Sequence, residues 1–422
     1  MSQMDLDKRI MRLFHSIAKV NSMKDVLGKT VGDLIVVNGV PKRVVFLYGS
    51  SKVDGIGYFL IDEDWLELTE ICVEISKTNS AIVSVEDVRR YLNELIMEMK
   101  MSSWSRRGFL KEVRKTLQFI KEYKGEEAFI TLPVWGLILK GSPLVVGDVE
   151  FRPRPVEQEM EEEIKRIDPN GNVKVIAVTL AHGDREMIFN NAETQINKAI
   201  NIIRAFACPI VSKGRLQEIS FEGDYQLLRS VSISHSKPKV GEESHMTGIG
   251  LIQVGGVMPI ILEQHIGRMN YLGFGELLKI IEKNDKFSRR LVRGAEWIGE
   301  ATKQDVLQAK FVKVAFAIDA MIGDTAENIP DIGKRARIAE RASFLLGTRY
   351  RSRVLIHKKM SDFISKRDSI AHGSAKLTVT EAEVEEIGLY ARSLLRRLLV
   401  GEPRFKDINQ LARWVQKQSL LG

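Results

Sequence analysis

The sequence predicts an α+β N-terminal region followed by an all-α C-terminal helical bundle, and three observations carry that expectation. Up to about residue 270, short runs rich in Val, Ile and aromatic residues alternate with stretches of helical spacing. From Phe274 onward the strand pattern largely stops and apolar residues recur at steps of three and four. The chain has 422 residues, 44% hydrophobic and 28% charged, too long for one ordinary core and composed like a folded protein. Two domains follow, an α+β sensing or regulatory part over 1–270 and a bundle over 286–422.

In the first part, Asp33 to Val37, Arg43 to Tyr48 and Ala128 to Leu132 read as strands bounded by Gly, Pro or Asn, while Glu86 to Met101 and Gly108 to Glu122 read as helices. Val173 to Leu180 is a further strand. The helix after it carries the stripe Ala192, Ile196, Ala199, Ile200, Ile203 and Phe206. The proline-broken, then acidic run from Arg152 to Glu163 marks a subdomain seam near 152–170. In the second part, Leu307, Phe311, Val314, Ala315 and Ile318 define a helix ending at Gly323, and Ile338, Ala342 and Leu345 a shorter one closed by Gly347. A third helix runs from about Arg353 to Ala371. A fourth opens on a Thr380 to Glu383 capping box and carries Val384, Ile387, Ala391, Leu394, Leu395 and Leu398, and Leu411, Trp414 and Val415 close the chain.

Several function classes drop out. Cys72 and Cys208 are far apart in apolar surroundings, so both read as reduced core residues and neither as a metal ligand. No membrane-length apolar run and no signal-peptide pattern is present, so cytoplasmic residence without a membrane partner is expected. Gly248, Gly250, Gly255 and Gly256 lack the Lys-Ser or Lys-Thr of a phosphate loop and read as bends or bulges in a strand. His235, His245 and His265 have no metal-ligand spacing. His182 and Asp184 read as turn residues, and Met97, Met99 and Met101 as packing along a helix end. No metal or cofactor is expected.

The formal charge is +8, and its placement matters more than its size. Between Lys334 and Gly373, eleven Lys or Arg face only Glu340, Asp362 and Asp368, so this stretch holds the whole imbalance. A local positive field attracts polyanions, nucleic acid above all, while a solvated helix face is the plain alternative.

The third bundle helix holds an anomaly. At 100° per residue, Ile356, Met360, Phe363, Ile364 and Ala371 form one apolar stripe with Arg367 in its middle. A guanidinium there needs a partner. A buried salt bridge, with Glu340 as mate, is one answer, and a phosphate in a cleft is the other. Asp368 and His372 stand four apart on the flank of the stripe, where an Asp can fix the tautomer and orientation of an imidazole. Together these groups suffice for metal-free RNA cleavage, the His moving a proton and the Arg stabilising charge on phosphorus.

The string Arg367-Asp368-Ser369-Ile370-Ala371-His372-Gly373 resembles the signature of HEPN (higher eukaryotes and prokaryotes nucleotide-binding) domains: Arg, a polar residue, and His after four to six positions. Arg351 to His357 and Arg229 to His235 satisfy the looser spacing, but the first lies at the start of the same helix and the second in strand-like sequence. The Gly after the His, the Phe311 to Ile322 helix and the Glu340 to Gly347 helix end make residues 286 to 400 most similar to the Apea-like branch. The resemblance implies a metal-independent endoribonuclease leaving a 2′,3′-cyclic phosphate, acting as a homodimer. Toxins and antiviral defence effectors are typical members, often restrained by an antitoxin or released by a phage-derived trigger. By position, Arg367 would bind the phosphate, Asp368 order the motif and His372 act as acid or base. RNA, tRNA among the candidates, would lie on Arg351, Arg353, Lys358, Lys359 and Lys366. A bundle that binds RNA or a nucleotide, or only dimerises, without turnover is the alternative.

Overall fold

The structure, a computed structural model, describes residues 8–9, 30–31, 34–37, 40–47, 58–77, 82–102, 106–134, 136–153, 175–211, 232–234, 260–283, 285–323, 333–373 and 378–420. A small antiparallel sheet lies in the N-terminal half, and the C-terminal part is helical. The chain separates into two compact units, one of residues 1–128 with 181–191, the other of residues 129–180 with 192–422. This division differs from the one read at 270–286, because residues 129–180, which form most of a sheet, group with the helices that come later in the chain.

In the first unit β1 (Thr30–Val31), β2 (Leu34–Val37), β3 (Val40–Leu47) and β4 (Tyr58–Ile61) pair antiparallel in sequence order. Three helices follow, α1 (Asp62–Ser76), α2 (Val85–Ser102) and α3 (Arg106–Glu122). Their core gathers Leu68, Ile71, Cys72, Val88, Leu92, Val113 and Ile120. Burial there pushes the Cys72 thiol up to about 12, which fits the core role expected of it. Helix α1 is not evident from the sequence, although Leu68, Ile71, Cys72 and Ile75 recur at helical steps, because acidic residues and a Thr between them mask the pattern. Asp184 is more than a turn residue. Its carboxylate is buried, accepts the backbone N–H of Ser84 at 2.5 Å and that of Met187 at 2.8 Å, and so caps the start of α4 (Arg185–Ala207).

In the second unit a five-stranded sheet runs in the order β10 (Ser232–Ser234), β5 (Glu126–Val134), β9 (Val175–Gly183), β8 (Val149–Pro153), β7 (Leu144–Val146). β6 (Leu137–Ile138) pairs in parallel with β11 (Ile260–Ile261). All six stripe residues read on α4 are buried. The seam beyond Pro153, the glycines at 248–256, His235 and His245 lie outside the described residues.

The helices begin earlier than Phe274, with α5 (Leu262–Tyr271) and α6 (Phe274–Ile281), and continue as α7 (Lys286–Lys303), α8 (Leu307–Ile322), α9 (Lys334–Leu346), α10 (Tyr350–Ala371), α11 (Glu381–Val400) and α12 (Ile408–Leu420). α7 packs along α8, α8 against α11, and α9 along α10. The capping box is present: Thr380 Oγ1 accepts from the Glu383 N–H at 3.3 Å and Glu383 Oε2 from the Thr380 N–H at 2.8 Å. Gly323 does end α8, though not by a left-handed turn. A Cβ there would stand 1.9 Å from Asp319 Oδ1, so the position is glycine because the carboxylate folds back over the helix end.

Candidate active site

α10 turns one side into the bundle and buries Ile356, Met360, Phe363, Ile364 and Arg367. Ala371, read onto the same stripe, is exposed where the helix runs out of the core. Phe363 packs edge-on to Phe311 of α8, 5.9 Å between centroids, and this contact fixes α10 one turn before Arg367.

The partner of Arg367 is Asp319 of α8, and not Glu340. Nη1 donates to Asp319 Oδ2 at 3.1 Å, while Nε and Nη2 donate to Asp368 Oδ1 at 2.9 and 2.6 Å. Asp319 Oδ2 also receives Lys334 Nζ at 2.7 Å. From α7, Arg290 Nη2 donates to the backbone carbonyls of Asp319, at 3.4 Å, and Gly323. Three cations thus meet one turn of α8, where the negative end of a helix dipole adds to the Asp319 charge.

A cleft of about 360 Å³ adjoins this turn, lined by Arg290, Trp297, Phe316, Asp319 and Ala320. The rings of Trp297 and Phe316 lie 5.4 Å apart at 57°, Arg293 stacks 4.3 Å from the Trp297 centroid, and Arg367 lies 5.8 Å from that of Phe316. Aromatic faces beside guanidinium groups form a surface on which unpaired bases stack. Sequence reasoning missed Asp319, Trp297 and Phe316. The signal was the lone carboxylate in FVKVAFAIDAMI, three residues from Phe316 and so on the same side of the helix.

His372 is the cap residue at the end of α10. It is exposed, and its N–H donates to the Asp368 carbonyl at 2.9 Å. Gly373 follows with φ +82° and turns the chain. Asp368 does not hold the imidazole, since its Oδ1 accepts from Arg367; among the described residues the ring makes no hydrogen bond. The motif is therefore assembled as Arg with Asp, and His separately, exposed at the end of the helix.

The basic stretch is largely consumed from within. Lys359 pairs with Glu386 at 3.0 Å and Lys366 with Glu383, both on α11. Arg353 donates to the Gly347 carbonyl at 3.2 Å and stacks 4.6 Å from Phe344. Arg341 is buried against the Ile322 carbonyl at 2.8 Å. Of the five residues expected to bind RNA, Arg351 and Lys358 remain exposed, seven apart on one side of α10.

Among the described residues no three His, Cys, Asp or Glu side chains gather as a metal site, and no helix is long and apolar enough to cross a membrane. Comparison with protein-family models, curated proteins and solved structures finds no match.

Proposed function

We propose that the C-terminal helices form a metal-independent endoribonuclease of the HEPN kind, most similar to its Apea-like branch. The observation that carries this reading is Arg367, buried on an apolar stripe yet opening beside an aromatic cleft, five residues before an exposed histidine at the helix end. In this mechanism Arg367 turns a guanidinium edge from Asp368 to the scissile phosphate, and His372 moves a proton at the 2′-hydroxyl or the leaving oxygen. Asp368, with a side chain 46% exposed, is the partner that can swing away, whereas Asp319 keeps the guanidinium anchored. The bases flanking the cut stack on Trp297 and Phe316, and Arg351 and Lys358 hold the backbone.

A homodimer is the working form. Tyr350, Val354 and Leu355 are 74%, 51% and 57% exposed on one end of α10, an apolar face that a second copy would cover. A toxin or antiviral effector in the cytoplasm, released by a phage-derived trigger or from an antitoxin, is the role we assign.

The test is incubation of wild-type and His372→Ala protein with total RNA and with tRNA in EDTA, followed by mapping of the 3′ ends. Cleavage by wild type alone, leaving cyclic phosphate, is expected. Equal cleavage by His372→Ala would remove the assigned role. A second reading, an RNA- or nucleotide-binding bundle without turnover, is favoured by one observation, the full engagement of Arg367 by two carboxylates. It predicts RNA retention with no product under any activating condition.

A further inference from the structure

A second cavity, of about 670 Å³, opens in the C-terminal unit and shares no residue with the Arg367 cleft. It lies among the end of α5, the segment after α4, the end of α9, and the side of α11 turned away from its core stripe. Residues 385, 389, 392 and 396 of α11 recur at steps of three and four, so they line it as a row. The size falls inside the roughly 300–1,000 Å³ of pockets that bury small organic ligands.

Its chemistry is unbalanced. Arg268, Arg392, Arg396 and Arg397 line it against the single acid Glu385. Arg392 is structural: its Nε donates to the Ala205 carbonyl at 2.9 Å and its Nη2 to that of Cys208, which closes the end of α4. Arg268 and Arg396 have spare donors, whereas Arg397 is closed against Gly401 at the end of α11. Arg268 makes no hydrogen bond or ion pair among the described residues. Arg396 spends only Nε, on the Tyr271 carbonyl at 3.0 Å, and stacks 4.2 Å from the Tyr271 ring. Arg397 donates through Nη2 to the Glu402 carbonyl, while its Nη1 is buried without a partner. Burial, and after it the like charge of Arg268, pull Arg392 down to about 10. Apart from Ser393 the rest of the wall is largely apolar, Ile210, Leu345, Leu346 and the 69%-exposed Leu389 among it.

We propose that this pocket binds a nucleotide-sized organic phosphate, with the phosphate on Arg268 and Arg396 and the ring on the leucine wall beside Tyr271. Planar guanidinium forks suit phosphate oxygens, and a bare anion would leave the apolar wall wet. The site does not depend on the ribonuclease reading.

Calorimetric titration of the full chain with AMP, ATP and inorganic pyrophosphate tests it. Saturable binding of at least one nucleotide is expected, weakened at least about tenfold in Arg268→Ala/Arg396→Ala, the loss of two charge-assisted bonds. Leu389→Asp, an exposed position, weakens it too. Arg367→Ala leaves it unchanged, which separates this site from the other. Unchanged thermal unfolding of the double variant excludes misfolding as the cause. No saturable binding up to millimolar nucleotide, binding indifferent to Arg268 and Arg396, or pyrophosphate binding as tight as any nucleotide would each overturn the proposal.

Discussion

Two groups of arginines in the same unit meet opposite fates. Arg367 is held by the carboxylates of Asp319 and Asp368, whereas Arg268, Arg396 and Arg397 face a cavity with carbonyls or nothing for partners. The first arrangement is self-neutralised and can rest without a ligand. The second stores uncompensated charge, and an anion supplies what the fold omits. Positive charge in a sequence therefore says little about where an anion will sit until the carboxylates are placed. In the forty-residue stretch with the whole formal excess, Lys334, Lys359, Lys366 and Arg367 are paired with carboxylates of α8 and α11, while the pocket draws its arginines from Arg268 and from 392–397, outside that stretch.

Substitutions sharpen the contrast. Arg392→Ala has the largest expected cost: it removes the donor to the Ala205 and Cys208 carbonyls, and two bonds to a charged group give about 2–4 kcal/mol, read by urea unfolding. Arg367→Ala comes next, at about 1–3 kcal/mol, below the usual figure for breaking a buried pair because Lys334 stays on Asp319 and Asp368 can hydrate. Under the proposed ribonuclease function, its cleavage defect is about 10²–10³-fold, more than that destabilisation explains in a protein still folded at the assay temperature. Asp319→Asn costs about 1–2 kcal/mol by leaving Arg367 and Lys334 with a neutral acceptor; a larger loss than for Arg367→Ala would reverse the order of anchor and anchored. Arg268→Ala should leave the unfolding midpoint in place, and a measurable drop would mean that Arg268 serves the fold and not a ligand.

What the sequence made legible followed periodicity. The α4 stripe, the α8, α10 and α11 faces, the Thr380 capping box and the burial of Arg367 all come from local spacing, which a helix obeys whatever surrounds it. Pairing across helices was not legible. Glu340 stood closer in sequence, but Asp319 is the residue that the α8–α10 packing brings to the guanidinium. The Asp368–His372 bond was plausible at i,i+4 spacing, yet a neighbouring guanidinium offers two donors and wins the carboxylate. Helix α5 was read as part of a mixed region because its apolar positions, Leu262 and Met269 alone fully buried, are too few to stand out.

The turn that ends α8 carries a consequence of another kind. Arg290 of α7, Lys334 of α9 and Arg367 of α10 all terminate on Asp319 or Gly323. Viewed as a network, Asp319 and Gly323 at the end of α8 are a hub through which three other helices are wired to one another. A hub of that kind makes distant residues report on one another: a strain entering at α9 reaches Arg367 through one shared carboxylate, and one entering at α7 through the backbone carbonyls of the same turn, with no need for the core between them to repack.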